Sequence, residues 1–268
     1  MSTRFLHRLY FRRILTGEKV KVEFSVSNEI FEFCKNNNIS CDETTATEFD
    51  VLCQSLIEFN SHTNVTALKT YEDICKKHFI DSIYVLKYDL LKPGAAVIDI
   101  GCGAGFPGLP VKMLRNDIDM TFVDSTAKKL KFTEYAAKQF GFDVTLFAER
   151  AEELVSKGHR EKYDAALSRA VAALPVLCEL VLPYVKVGGI FVAYKSKKEA
   201  DLNDKNSELS LAQNAIKSLG ARASKVLDAG FTASNGVLQE HSLVVIEKVK
   251  KTPPQYPRRY AAILKKPL

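Results

Sequence analysis

The change of period at "KPG", Lys92 to Gly94, is the feature that most limits what this chain can fold into. Before it, apolar residues recur at three- and four-residue spacing in "EIFEFCKNNN", "TEFDVLCQSLIEFN" and "YEDICKKHFIDSIYVLKYDLL". That is a helical pattern over 28–92, with Thr44 and Thr47 as expected caps. After it, short apolar runs alternate with helical segments: "AAVIDI", "MTFVDS", "DVTLFA", "YDAALSRA" and "GIFVAYK". Such alternation builds βαβ units, hence a mostly parallel sheet with helices on both faces. "SELSLAQNAIKSLG" adds a helix stopped at Gly220, and "HSLVVIEKV" a last strand. The expected fold class is α/β: a doubly wound, Rossmann-like sheet under a helical N-terminal cap. Ligands of such sheets bind beyond the C-terminal strand ends, where the strand order reverses.

Four segments follow: a basic extension over 1–27, the helical cap over 28–92, a ligand-binding domain over 93–250, and a basic tail over 251–268 packing on that domain. The extension opens "MSTRFLHRLYFRR", with no acid before Glu18 and no clean apolar core, so it is not read as a secretory signal. The tail holds five Lys or Arg and no acid, within a chain of net charge +6. That balance permits a nucleic-acid partner. No run approaches eighteen apolar residues, so no membrane span is expected. Six cysteines without a C-x-x-C pair point to reduced thiols in a cytoplasmic protein. Five histidines without ligand spacing point to no metal site.

The stretch "VIDIGCGAGFPGLP", Val97 to Pro110, sits where the ligand should bind. Gly101, Gly103 and Gly105 follow Asp99 at the end of the first strand, and glycines let the backbone turn sharply and approach a ligand. The run from Gly103 to Gly108 also fits the G-x-G-x-x-G dinucleotide turn, so a nicotinamide dehydrogenase is one alternative. Asp99 argues against it, since a carboxylate repels a pyrophosphate and suits an ammonium. Asp124, nineteen residues after Gly105, is an acid suited to ribose hydroxyls, and Ser125 follows it. "AERAEEL" follows the third strand with Ala151 and Glu152; its plain alternative is an acidic helix start. "LSRAVAAL" ends the fourth strand and brings Ser168 and Arg169 to the mouth of the site. For Arg169 the plain alternative is a salt bridge to Asp99 or Asp124. The D-x-G-x-G-x-G pattern resembles the first motif of S-adenosylmethionine-dependent methyltransferases.

"NVTAL", "HFIDSI", "DIGCGAGFPGLP", "DSTAKKLKF", "ERAEEL", "SRAVAAL" and "YPRRYAAILKKPL" together resemble the RsmG (GidB) family, from about residue 30 to the C-terminus. The resemblance implies a class I methyltransferase fold with a seven-stranded sheet. It implies methyl transfer from S-adenosylmethionine to N7 of a guanine in 16S rRNA, free or in the small ribosomal subunit. A monomer is expected. Carried over by motif, it gives cofactor contacts at Gly101, Phe106, Asp124, Ala151, Glu152 and Arg169. It also lays the "HFIDS" helix over the cofactor, with His78 and Asp81 near the pocket. Two departures are Cys102, where many relatives have Ser or Thr, and Lys195-Ser196, where they often read Lys-Gly.

Guanine N7 has a free lone pair at neutral pH, so no general base is expected; alignment and exclusion of water suffice. The methylated base gains positive charge, which makes Asp81 a candidate catalytic carboxylate. RNA contacts are expected from Lys195, Lys197 and Lys198 past the fifth strand. Tyr256, Arg258 and Arg259 in the tail interleave charge with stacking faces. Neutralising Arg258 and Arg259 is expected to weaken rRNA binding and flatten its salt dependence. The competing readings are a methyltransferase acting on another acceptor and an RNA-binding assembly factor with a vestigial cofactor site.

Overall fold

The computed structural model describes residues 24–268; the expected basic extension lies outside the described residues up to residue 23. The described residues open with α1 (Val26–Asn36), whose start falls inside that expected extension, followed by α2 (Glu43–Thr63). Helix α1 buries Val26, Ile30 and Cys34, one face at four-residue spacing. Helix α2 is capped by Asp42, not by Thr44 or Thr47: its carboxylate accepts from the Thr45 N–H at 2.7 Å. A carboxylate also suits the positive end of the helix dipole.

A broken helix completes the cap. It runs as α3 (Tyr71–Ile74), π-helical turns over Cys75–Ile80, α4 (Asp81–Ile83) and a 3-10 turn over Tyr84–Tyr88. π turns insert an extra residue and concentrate at functional sites. Here they contain His78 and end immediately before Asp81.

The main sheet holds seven strands: β1 (Ala96–Ile100), β2 (Asp119–Val123), β3 (Val144–Phe147), β4 (Tyr163–Arg169), β5 (Val185–Ser196), β6 (Ala221–Asp228) and β9 (His241–Lys248). Their order is β3-β2-β1-β4-β5-β9-β6, and β9 is antiparallel to both its neighbours. This is the expected Rossmann-like sheet, and its order reverses between β1 and β4. β7 (Phe231–Thr232) and β8 (Leu238–Gln239) form a small hairpin on the way from β6 to β9. The helices after the strands are α5 (Gly108–Leu114), α6 (Ala127–Phe140), α7 (Ala151–Leu154), α8 (Leu174–Val181), α9 (Glu208–Leu211), α10 (Gln213–Ser218) and α11 (Tyr260–Lys265). The single helix read from "SELSLAQNAIKSLG" is two, broken at Ala212.

Strand residues alternate between two cores. Val97, Phe122, Leu167 and Val192 join the cap residues Phe49 and Phe79 on one face. Ile98, Ile100, Ala166 and Phe191 join Leu177, Ile216 and Ile263 on the other. Each of these side chains other than Ala166 stabilises the fold by about 1.5–3 kcal/mol through burial. Asp99 has the parity of Val97, so the alternation sends a carboxylate into an apolar layer, with Phe122 and Leu167 as strand neighbours. Among the described residues no helix is long and apolar enough to cross a membrane. No group of three His, Cys, Asp or Glu among them is placed to hold a metal ion.

Candidate active site

The glycine turn leaves β1 at the point of strand reversal. Gly101 has φ +72°, and a Cβ there would overlap the Val171 side chain, so only glycine fits. Gly103 has φ +57°, and its N–H donates to Asp124 Oδ2 at 2.9 Å. Asp124 Oδ1 accepts from the Thr126 N–H at 2.7 Å. Two backbone donors thus orient Asp124, and a carboxylate keeps further lone pairs for hydroxyls. Asp99 is fully buried; Oδ2 accepts from the Gly108 N–H at 2.8 Å, while Oδ1 has no partner among the described residues. Burial pushes its carboxyl up to about 7, against the Gly108 hydrogen bond and the Arg169 charge, with Asp124 adding repulsion.

Arg169, at the end of β4, pairs with neither Asp99 nor Asp124. Its Nη1 donates to Asp81 Oδ2 at 2.5 Å and to the Lys77 carbonyl at 3.1 Å. Its Nη2 lies 3.2 Å from His78 Nδ1, and its guanidinium carbon 5.9 Å from the Phe106 ring centroid. His78 stacks on Phe106, centroids 4.4 Å apart at 6°, and its Nε2 lies 2.8 Å from Thr66 Oγ1. Burial, then the Arg169 charge, lowers His78 to about 3, so the ring is neutral. Nδ1 then accepts from Arg169 and Nε2 donates to Thr66. Asp81 Oδ1 meets His241 Nδ1 at 2.7 Å. Burial works to raise Asp81, but Arg169 and His241 bring it below the usual carboxylate range. With both oxygens engaged and the side chain 3% exposed, Asp81 is an ion-pair partner rather than a carboxylate open to a substrate.

The other expected residues divide. Gly105 and Phe106 continue the turn, and Ser125 is exposed beside Asp124. Ala151 and Glu152 open α7 past the end of β3, on the same edge of the sheet, and the Ala151 carbonyl accepts from Tyr184 Oη at 2.5 Å. Ser168 is turned inward, donating to the Ile100 carbonyl at 2.7 Å. Cys102 is buried in the turn.

Two expected RNA contacts need correction. Lys195 is buried, its Nζ 2.6 Å from Glu208 Oε2 and 2.9 Å from the Ala172 carbonyl, so its charge is neutralised inside the fold. Arg258 grips the wholly buried Glu179 through Nε at 2.9 Å and Nη2 at 2.6 Å, because a carboxylate inside α8 requires a cation. Lys197 is exposed but paired with Glu240 at 2.6 Å. Tyr256 is half-buried, its carbonyl accepting from Arg160. Lys198 and Arg259 are exposed, and neither forms an ion pair among the described residues.

The profile of the family described as "rRNA small subunit methyltransferase G" matches residues 45–227. "Ribosomal RNA small subunit methyltransferase G" of Clostridium tetani is 36% identical over 88% of this chain and 95% of its own length. The protein of the same name from Clostridium novyi is 40% identical over 80% and 85%. The chain belongs to this family. A solved structure titled "Conversion of a Disulfide Bond into a Thioacetal Group during Echinomycin Biosynthesis" overlays with a TM-score of 0.50. It covers 63% of this chain and 81% of that one, at 16% identity, a likeness of fold alone.

Sequence reasoning passed over His241 and the lysines of α6. His241 has no local signal, because only the antiparallel register of β9 with β5 brings it to Asp81. The lysines had one: Lys128 and Lys129 occupy the first turn of α6 with no acid, where the dipole favours carboxylates. Lys128, Lys129, Lys131 and Arg150 are exposed, with no ion pair among the described residues.

Proposed function

We propose that this chain transfers the methyl group of S-adenosylmethionine to N7 of a guanine in 16S rRNA. The observation that carries the reading is the buried, half-partnered Asp99 beside the glycine turn at the strand reversal. An unpartnered carboxylate oxygen fits the cofactor's ammonium and opposes a pyrophosphate. Asp124, held by two N–H groups, suits the ribose hydroxyls. Gly101, Gly103 and Gly105 bring backbone close, and Phe106, Ser125, Ala151, Glu152 and Arg169 complete the cofactor set. The cofactor, when bound, supplies an electrophilic methyl on a sulfonium. The protein's own part is to hold donor and base in line and to exclude water. Neutral His78, stacked and doubly hydrogen-bonded, keeps the cap closed on Phe106 and moves no proton. The same reading has the protein working in the cytoplasm as a monomer.

For RNA the reading rests on exposed cations past the strand ends: Lys128, Lys129 and Lys131 after β2, Arg150 after β3, Lys198 after β5, and Arg259 in the tail. Replacing Lys128 and Lys129 together by glutamate is expected to weaken rRNA binding by about tenfold or more at 0.1 M salt and to lower the salt slope by about two. Filter binding over a salt series checks this; an unchanged slope counts against those two lysines. The reaction itself is tested with labelled S-adenosylmethionine and small subunits from a strain lacking the enzyme, followed by borohydride and aniline cleavage. Label in 16S rRNA with one new cleavage site is the expected result. Cofactor binding without label points to another acceptor or an assembly role.

A further inference from the structure

His241 is delivered to the site edge by the last strand. β9 runs antiparallel to β5 and sets His241 opposite Ser196, at the C-terminal end of β5. There Nδ1 faces Asp81 Oδ1 at 2.7 Å, and the ring meets Phe231 edge-on, centroids 5.3 Å apart at 88°. Asp81 has two oxygens and two partners, one on each: His241, and the cation Arg169. Arg169 in turn has five N–H donors; Nη1 uses two and Nη2 one, leaving an Nη2–H and the Nε–H without a partner among the described residues. A guanidinium clamped on one side with donors left over is built to receive an anion. Side chains from the cap, β4 and β9 therefore fix one arginine at the reversal point.

We propose that His241 is a positioning residue: by sharing Asp81 with Arg169, it sets how the guanidinium is presented to the carboxylate of S-adenosylmethionine. The proposal rests on the reading that Arg169 meets the cofactor. Asp81 accepts only, so Nδ1 of His241 carries a hydrogen in either charge state. Losing the ring's proton therefore changes charge and leaves the hydrogen bond. With the ring protonated, Asp81 is divided between two cations and Arg169 keeps more of its charge for an incoming carboxylate. With the ring neutral, Asp81 belongs to Arg169 alone. The groups facing His241 are Asp81 from the cap, Arg169 from β4 and Glu199 after β5. The hydrogen bond to Asp81 raises the ring's pKa above its ordinary value, against burial and the Arg169 charge. The change in charge thus lies above the ordinary imidazole range.

The test is calorimetric binding of S-adenosylmethionine to the whole protein between pH 6 and 9, for wild type, His241→Asn, His241→Ala and Arg169→Ala. Asparagine places an N–H near the Nδ1 position and does not titrate. Asp99 titrates in the same range, so the readout for the two His241 variants is the ratio of their Kd to wild type at the same pH, in which the Asp99 contribution cancels; Arg169→Ala, whose lost charge also acts on Asp99, is read only for loss of binding. Arg169→Ala is expected to weaken binding by about tenfold or more, and His241→Ala by about fivefold. For His241→Asn the ratio is expected to fall from about three at pH 6 to about one at pH 9. His241→Ala binding as wild type at every pH, while Arg169→Ala is impaired, overturns the proposal. So does a His241→Asn ratio that does not change with pH, or an effect on rRNA affinity alone. Normal binding by Arg169→Ala instead refutes the contact between Arg169 and the cofactor, and this proposal with it. Failure of wild type to bind refutes the functional reading as well.

Discussion

Arg258→Ala is expected to lower the melting temperature by about 10 °C, while Arg259→Ala, one residue on, leaves it nearly unchanged. Removing one partner of a buried ion pair costs about 3–5 kcal/mol, since the other charge stays buried and uncompensated. In a fold of this size each kcal/mol moves the midpoint by about 2–4 °C. Glu179 is fully buried in α8, and Arg258 is bound to both its oxygens, with the Arg258 backbone N–H donating to Oε1 at 2.8 Å as well. Arg259 is exposed, so its loss should show in rRNA binding and its salt dependence instead. Scanning calorimetry and filter binding on the two single variants separate the effects. Equal melting temperatures would mean that the Arg258–Glu179 pair does not tie the tail to the domain.

Asp99→Asn is expected to act oppositely on stability and on binding. The Asp99 carboxyl titrates at about 7 in the fold against an ordinary 3.8, chiefly because it is buried between Phe122 and Leu167. Between those two values the native state holds a proton that the unfolded chain has released. Stability therefore falls as pH rises from about 4 to about 7 and stays at the lower level above. Asparagine removes that titration, so the variant should melt several degrees higher than wild type at pH 8 and nearly level with it at pH 4. With Asp99 facing the cofactor's ammonium as proposed, affinity should drop by about a hundredfold at pH 8, because a neutral amide replaces the anion. Melting curves from pH 4 to 8 and titration with S-adenosylmethionine check both halves. A variant that keeps the wild-type affinity would remove Asp99 from the cofactor site.

Much of this was legible in residue order. The alternation after Gly94 announced the parallel strands, and the sheet's reversal point fell where the glycines and Asp99 had put it. β6 was not legible: its residues are mostly exposed or half-exposed at the sheet edge, so "ARASKVLD" lacks an apolar run. The π turns were not legible either, because an inserted residue leaves the helical spacing of "ICKKHFIDSI" almost intact. Charge was the poorest guide. Lys195 and Arg258 stood in basic stretches that invited an RNA reading. Their partners, Glu208 and Glu179, lie 13 and 79 residues away, on helices whose packing no local pattern reveals. For Arg169 the plain alternative was a salt bridge to Asp99 or Asp124; the acid that it pairs with is Asp81, from the cap.

The position of β9 also sets an order of events. It is the last strand made and lies between β5 and β6, so until residues 241–248 have been translated β5 has no neighbour on that side. Asp81, made 160 residues before His241, must wait the same interval for its second hydrogen-bond partner. A nascent chain can therefore assemble the glycine turn early and still have an unfinished arginine clamp. The clamp is completed late in synthesis, with the closing of the sheet.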